Sequence, residues 1–342
     1  MVYSFALIKH ANIRYRESIS RLGKYELVCL LHSLDIYCDV VCEKAGGAEF
    51  LTFECRPLSN AEAAFLTSHS CICFTAEKAG NGALIPLDYA SGSYLPEDLP
   101  EVLKYKGKTS VSFTMMMLNV ALSVTPFVRS AKPVTVLDPL CGKGTGCFCA
   151  VQRGMNAVGI DLDRTAVREA SDYFSRYLKY HHLKHSMLHR SETCGNQALP
   201  LTSFVFADTK DHYLSGNTRS LLLSSGDTAL SPALVRHSPV HLIMADLPYG
   251  IQHAPRFGQN PESFEKLLSR ALPVWRGMLS PGGALALSFN TLTLPYDKAA
   301  LLFRQAGLTL CEDDRFTHFR HEVEQAVVRD VIFAVKPLKE DD

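Results

Sequence analysis

The chain has 342 residues, 47% hydrophobic and 20% charged, with 35 basic side chains balancing 35 acidic ones. That composition excludes a disordered, collagenous or coiled-coil chain and suggests about two domains, and neutrality supplies neither a strong basic nor a strong acidic field. The eleven cysteines contain no C-x-x-C pair, so free thiols in a reducing cytoplasm are expected and no metal finger is.

In chain order, Tyr3 to Ile8 reads as a strand, and no basic residue precedes this apolar run, so a signal peptide is not expected. Tyr25 to Leu34 carries apolar residues at 27, 28, 30, 31 and 34, the spacing of one helix face. Glu49 to Glu54 alternates as a strand, and Ser59-Asn60-Ala61-Glu62 opens a helix with Ser59 as its cap. A small α/β unit near βαβα results, with no catalytic pattern in it. Turn residues and charges gather between Asp88 and Lys108, which places the boundary between an accessory domain, 1–95, and a second domain, 96–342. Thr109 to Val128 is uncharged and about as long as a membrane span, but its Ser, Thr, Asn and Pro predict a partly buried amphipathic helix and no membrane segment.

After the boundary, continuous apolar runs alternate with helical stretches: Val134 to Leu137, Asn156 to Ile160, Leu221 to Leu223, Val240 to Ala245 and Ala284 to Phe289, with Leu308 to Cys311 and Val331 to Val335 as the last strands. Such runs belong to a parallel sheet covered on both faces. A seven-stranded Rossmann-like sheet is expected, its order reversing near the first of these strands, with ligands beyond the carboxyl ends.

Three motifs follow strands at those ends. Leu137-Asp138-Pro139-Leu140-Cys141-Gly142-Lys143-Gly144-Thr145-Gly146 lets backbone turn sharply and approach a ligand, while Asp138 can accept hydrogen bonds from a cation. It is G-x-G-x-G and not the dinucleotide G-x-G-x-x-G, and Gly107-Lys108-Thr109 lacks the earlier glycine of a phosphate-binding loop. Gly159-Ile160-Asp161-Leu162-Asp163 puts a carboxylate where a nucleoside's ribose hydroxyls would sit. Asp161 is the better placed, since Asp163 can cap the following helix. Ala245-Asp246-Leu247-Pro248-Tyr249-Gly250 offers the Asp246 carboxylate and the Leu247 carbonyl as acceptors for an exocyclic amine, with Pro248 stiffening the turn and Tyr249 stacking on an extruded base.

Together these motifs resemble class I S-adenosylmethionine-dependent methyltransferases, most closely the RNA guanine-N2 enzymes of the tRNA guanine-10 type and their THUMP-domain relatives. Tyr105-Lys106-Gly107-Lys108-Thr109 is similar to the segment those enzymes place over the cofactor, and Ser225-Gly226-Asp227-Thr228 resembles their adenine-contacting acid. The resemblance covers about residues 103 to 336 and more faintly the N-terminal unit, which looks like their ferredoxin-like domain. It implies S-adenosyl-L-methionine as cofactor, held by Lys108, Thr109, Asp138, Pro139, Cys141, Gly142, Gly144, Asp161, Leu162, Asp227, Thr228 and Asp246. It implies RNA methylation, on tRNA or rRNA, through Asp246, Leu247, Pro248 and Tyr249. Two departures stand out: Leu247 occupies the second place of the family's Asp-Pro-Pro-Tyr, and too few residues precede the linker for a THUMP domain. The sequence leaves open whether a small activator subunit takes part. Adenine-N6 methylation of DNA or RNA, a methyltransferase-fold nucleic-acid-binding module without turnover, and a nicotinamide dehydrogenase are the alternatives.

His181, His182, His185 and His189 follow a helical stretch begun near Arg164, and i, i+4, i+8 spacing would put three imidazoles on one face. Arg164, Arg168, Arg176, Lys179, Lys184 and Arg190, interleaved with tyrosines, could track a phosphate backbone or simply form an exposed helix face. His253 could line a substrate mouth. Cys141, Cys147 and Cys149 read as small core residues, and no hydrolase motif is present.

Overall fold

The computed structural model describes residues 1–9, 13–88, 92–194, 197–235, 239–248, 256–257, 260–324 and 326–338. The N-terminal unit runs β1 (Val2–Leu7), α1 (Ile13–Ser33), β2 (Val40–Ala45), β3 (Ala48–Glu54), α2 (Asn60–Leu66), β4 (Ile72–Lys78) and β5 (Leu84–Pro86). Its five strands lie in the order β2-β3-β1-β4-β5, every neighbouring pair antiparallel. This exceeds the expected βαβα. Gly46 and Gly47, with φ of +58° and +80°, turn β2 into β3 as a two-residue hairpin. Ser59 caps α2 as expected, in a reciprocal pair with Glu62: its Oγ accepts from Glu62 N–H while the Glu62 carboxylate accepts from Ser59 N–H.

The second unit continues with α3 (Leu99–Val102), α4 (Val111–Ser123), β6 (Thr135–Asp138), α5 (Thr145–Gln152), β7 (Asn156–Asp161), α6 (Arg164–Tyr180), β8 (His185–Cys194) and β9 (Gln197–Phe206). Then come α7 (Lys210–Leu214), β10 (Arg219–Ser225), a 3-10 segment (Thr228–Leu234), β11 (Val240–Asp246), the two-residue β12 (Arg256–Phe257) and β13 (Asn260–Pro261), and α8 (Phe264–Met278). It closes with β14 (Leu279–Asn290), α9 (Tyr296–Gln305), β15 (Thr309–Leu310), β16 (His321–Glu324) and β17 (Val327–Val335).

Among the described residues its main sheet has ten strands, not the expected seven, in the order β15-β17-β14-β11-β6-β7-β10-β9-β8 with β16 on β17. The hairpin β8–β9 and β16 are the strands the apolar runs did not announce. β14, β11, β6, β7 and β10 are mutually parallel, and β17 runs antiparallel to β14. From β6 the chain moves outward through β7 to β10 and then returns to β11 on the other side, so the order reverses between β6 and β11. Loops after two strands that lead away in opposite directions leave a crevice between them.

Helix α4 is buried at ten of its residues, from Val111 to Leu122, so it is not the amphipathic helix expected: it lies between α1 of the first unit and the main sheet, and both sides are apolar. Among the described residues no helix is long and apolar enough to cross a membrane. The boundary stretch is equally engaged, since Leu95 and Leu99 are buried and Tyr94 N–H donates to Gln152 O at 2.7 Å.

Candidate active site

Asp138 ends β6, Asp161 ends β7 and Asp246 ends β11, and because these strands are parallel neighbours, three carboxylates converge on one end of the sheet. Asp138 is buried, and its burial pushes its carboxyl up to about 8, reinforced by the charges of Asp161 and Asp246 and opposed by the Leu140 N–H it accepts. Asp161 is half-buried. Its Oδ2 accepts from Gly142 N–H and its Oδ1 from Asp163 N–H, each at 2.8 Å, so the second motif holds the first in place.

The glycine loop turns through Gly142 and Gly144, with φ of +49° and +87°, and Gly144 starts α5. Beneath it, a Cβ on Gly159 would lie 2.8 Å from Cys147 Sγ and 3.0 Å from Cys141 Sγ, so glycine there is a packing requirement. Pro139 and Cys141 are buried, so Cys141 can meet a ligand only through its backbone. The Cys141 thiol stands well above the usual range because of its contact with Cys147 and its burial; burial likewise raises Cys149, in keeping with core residues. Over the loop, Tyr105 Oη lies 2.8 Å from Thr145 Oγ1, and Lys143 Nζ sits 5.1 Å from the Tyr105 ring centre while pairing with Glu169 at 2.6 Å.

The Thr109 hydroxyl donates to Asp246 Oδ2, tying that covering segment to the third motif. Asp246 Oδ1 is buried and has no hydrogen-bond partner among the described residues. A carboxylate oxygen so placed is an open acceptor, and leaving it unpaired is costly. Leu247 is buried with its N–H on Ser288 O at 2.9 Å, so its side chain belongs to the core and only its carbonyl is available for recognition. Pro248 is half-buried, and Tyr249, Gly250 and His253 lie outside the described residues. Lys108 departs from its expected place: its amine donates to the carbonyls of Pro100 and Glu101 at the end of α3.

Asp163 caps α6, accepting from Thr165 and Ala166 N–H, which leaves Asp161 as the acid facing the crevice. Leu162 is 47% exposed beside it, an apolar surface available to a flat ring. Asp227 accepts from Ala229 N–H at 2.8 Å and pairs with Arg270 at 2.6 Å. Thr228 is turned inward, its Oγ1 accepting the buried Trp275 indole N–H at 2.9 Å, so its side chain does not reach a ligand. Arg270, which also forks onto Glu262, was not found from sequence, because its partners are eight and 43 residues away.

Beyond Asp246 the ladder pairs it with Ser288, and two further buried groups on neighbouring strands flank the Phe113 ring: Arg329 at 4.3 Å and His321 at 5.2 Å. The buried arginine in the apolar run Val327–Val335 is the signal that could have marked this wall. The imidazole face does not form: α6 stops at Tyr180 and His185 and His189 stand on β8. Tyr173 and Tyr177 are buried, their hydroxyls donating to Leu99 O and Asp98, and so cannot interleave with a phosphate backbone. Among the described residues no group of three or more His, Cys, Asp or Glu is placed to hold a metal.

No protein-family model and no curated protein matches this chain. Among solved structures it is similar to TrmN from Thermus thermophilus at 17% identity and TM-score 0.38, covering 87% of this chain and 60% of that one. Similarity also extends to the Thermus thermophilus 16S rRNA N2 methyltransferase RsmC in complex with AdoMet and guanosine, at 16% identity and TM-score 0.36, over 88% of this chain and 58% of that one. An rRNA methylase from Streptococcus thermophilus matches at 14% identity and TM-score 0.35, over 68% of this chain and 99% of that one. The chain thus spans about three fifths of the length of the two Thermus proteins.

Proposed function

We propose that the protein is an S-adenosylmethionine-dependent methyltransferase acting on an exocyclic base nitrogen of RNA, with guanine N2 in tRNA or rRNA as its target. The observation that carries this reading is the open, buried Oδ1 of Asp246 at the switch point of the sheet.

The residues present fit the cofactor. Three converging carboxylates suit a ligand bearing positive charge, and the glycine loop lets that ligand approach the backbone. Asp161 suits ribose hydroxyls, Leu162 and Asp227 the adenine, and Asp138 the ammonium group. Bound S-adenosylmethionine supplies an electrophilic methyl on a sulfonium. Asp246 Oδ1 and the Leu247 carbonyl then accept the two N–H groups of the amine, which favours a pyramidal nitrogen whose lone pair is freed from the ring. In the methyl transfer that the cofactor would supply, Asp246 Oδ1 or water would take the proton that the amine gives up. Thr109 holds the other carboxylate oxygen, and Tyr249 stacks the base. Positioning supplies most of the acceleration because the methyl is already activated.

The antiparallel order β2-β3-β1-β4 around two helices supports a ferredoxin-like N-terminal unit, and eleven free cysteines suit the cytoplasm.

Titration with S-adenosylhomocysteine tests the cofactor: binding that weakens about tenfold or more in Asp161→Ala is expected, and no binding to the wild type would sink the reading. Asp246→Asn should keep that binding and lose about a hundredfold or more in methyl transfer to RNA. Nucleoside mass analysis should give N2-methylguanosine, and N6-methyladenosine would overturn the base assignment.

A further inference from the structure

The hairpin β8–β9 is inserted between α6 and β10, and its register shows where it reaches. The last pairing of β10 with β9 is Ser224 with Leu201, whereas β9 and β8 continue together through Pro200 and Ser191 to Gln197 and Cys194. Four residues on each strand therefore pass beyond that last pairing, roughly 13 Å at strand rise. That end of β10 is the one where Ser225 pairs with Asp161, so the tip overhangs the face that carries the candidate active site. The tip is pinned there: Leu199 is 2% exposed, and a Cβ on Gly226 would come within 2.6 Å of it.

Between the tip and the start of α6 lies an open-sided cavity of about 350 Å³, lined by Arg164, Ser191, Ala198, Pro200 and Ser225. No residue of the cofactor set lines it. That volume lies at the small end of ligand-sized pockets. Its lining has one guanidinium, the Ser225 hydroxyl, the Ser191 hydroxyl, whose proton goes to Leu199 O at 3.3 Å and whose lone pairs still accept, and two small apolar surfaces. Nearby carboxylates are occupied: Asp163 caps α6, Glu169 pairs with Lys143, and Glu192 lies 3.9 Å from Arg190. Arg168, one helical turn beyond Arg164, is exposed on the same face.

We infer that this cavity holds one nucleotide of the RNA adjacent to the methylated one, its phosphate on Arg164 and its ribose hydroxyl on Ser191 and Ser225, against Ala198 and Pro200. The inference rests on the RNA reading above. A guanidinium fork matches phosphate oxygens, and hydroxyl partners recognise a 2′-hydroxyl, the group that distinguishes RNA from DNA. The inserted hairpin then orients the strand relative to the Asp246 loop.

The test measures binding of a fluorescein-labelled single-stranded RNA oligonucleotide by anisotropy across a potassium chloride series, alongside S-adenosylhomocysteine titration, for wild type, Arg164→Ala and Ala198→Trp. Arg164→Ala should weaken RNA binding about tenfold and lower the salt slope by about one, as loss of one phosphate contact requires. Ala198→Trp, which fills the cavity, should weaken RNA comparably, and both should bind S-adenosylhomocysteine as the wild type does. RNA affinity and slope unchanged in both variants would overturn the site while leaving the methyltransferase reading intact. A parallel loss of S-adenosylhomocysteine affinity would overturn it by assigning the cavity to the cofactor. Wild type that binds S-adenosylhomocysteine but no RNA would overturn the RNA reading itself.

Discussion

Glu26 on α1 accepts a 2.7 Å hydrogen bond from Asn119 Nδ2 on α4, joining the two units through a side-chain pair with almost no solvent contact. Asn119 Oδ1 in turn accepts from Arg153 Nη1 at 2.9 Å, Glu26 also accepts from Ser70 N–H at 2.8 Å, and His69 Nε2 lies 3.5 Å from Glu26. Arg153 is half-buried, and loss of water around its guanidinium holds it down to about 10. Removing Asn119 takes one partner from Glu26 and one from Arg153, which keep Ser70 and the Ser68 carbonyl. Asn119→Leu should therefore cost about 1–3 kcal/mol in urea unfolding, and Glu26→Gln, which keeps the shape, should cost less. A loss near zero for Asn119→Leu would mean the units are held by apolar contact alone.

Asp138 sets a pH dependence. Its carboxyl is held at about 8 in the folded chain, against roughly 4 when unfolded. Between those values the folded state binds a proton that the unfolded state has released, so stability falls as pH rises from about 4 to about 8. Asp138→Asn mimics the protonated form and removes that slope. The variant should exceed wild type by about 1–3 kcal/mol near pH 8, with a smaller gap near pH 5. It should also bind S-adenosylhomocysteine more weakly, having lost the carboxylate for the ammonium group. Equal pH slopes in denaturant unfolding would contradict the assignment.

Arg270 separates two carboxylates, at 2.6 Å from Asp227 and 3.0 Å from Glu262. Arg270→Met leaves those acids facing each other, so a loss of about 1–2 kcal/mol is expected. Because Asp227 loses its orienting partner, calorimetry should also show severalfold weaker S-adenosylhomocysteine binding. Unchanged affinity would separate Asp227 from the cofactor.

Gly159 has no room for a methyl group, with two cysteine sulfurs and a Leu223 methyl within 3.0 Å of where it would go. Gly159→Ala should destabilise by about 1–3 kcal/mol through overpacking. The double variant with Cys147→Ala should recover part of that loss, whereas additive losses would point away from the sulfur contact.

Local pattern alone determined much of this protein. The parallel strands could be read because a strand covered on both faces must be continuously apolar, and their carboxyl ends marked Asp138, Asp161 and Asp246. Ser59 and Asp163 could be read as caps because capping is settled within a few residues. The Gly46-Gly47 turn is equally local, two adjacent glycines of positive φ. Hairpin β8–β9 was not legible, since most of β8 is exposed and β9 carries Pro200, so neither shows the periodicity of a buried strand. Nor could sequence show that the Lys108 amine turns to α3, that Thr228 turns to Trp275, or that Arg270 holds Asp227. Each depends on which distant group satisfies a polar atom once water is excluded, and that is decided only when the chain has closed. Sequence placed the acids at the strand ends; folding gave Asp138 and Asp161 backbone N–H donors and left Asp246 Oδ1 open among the described residues.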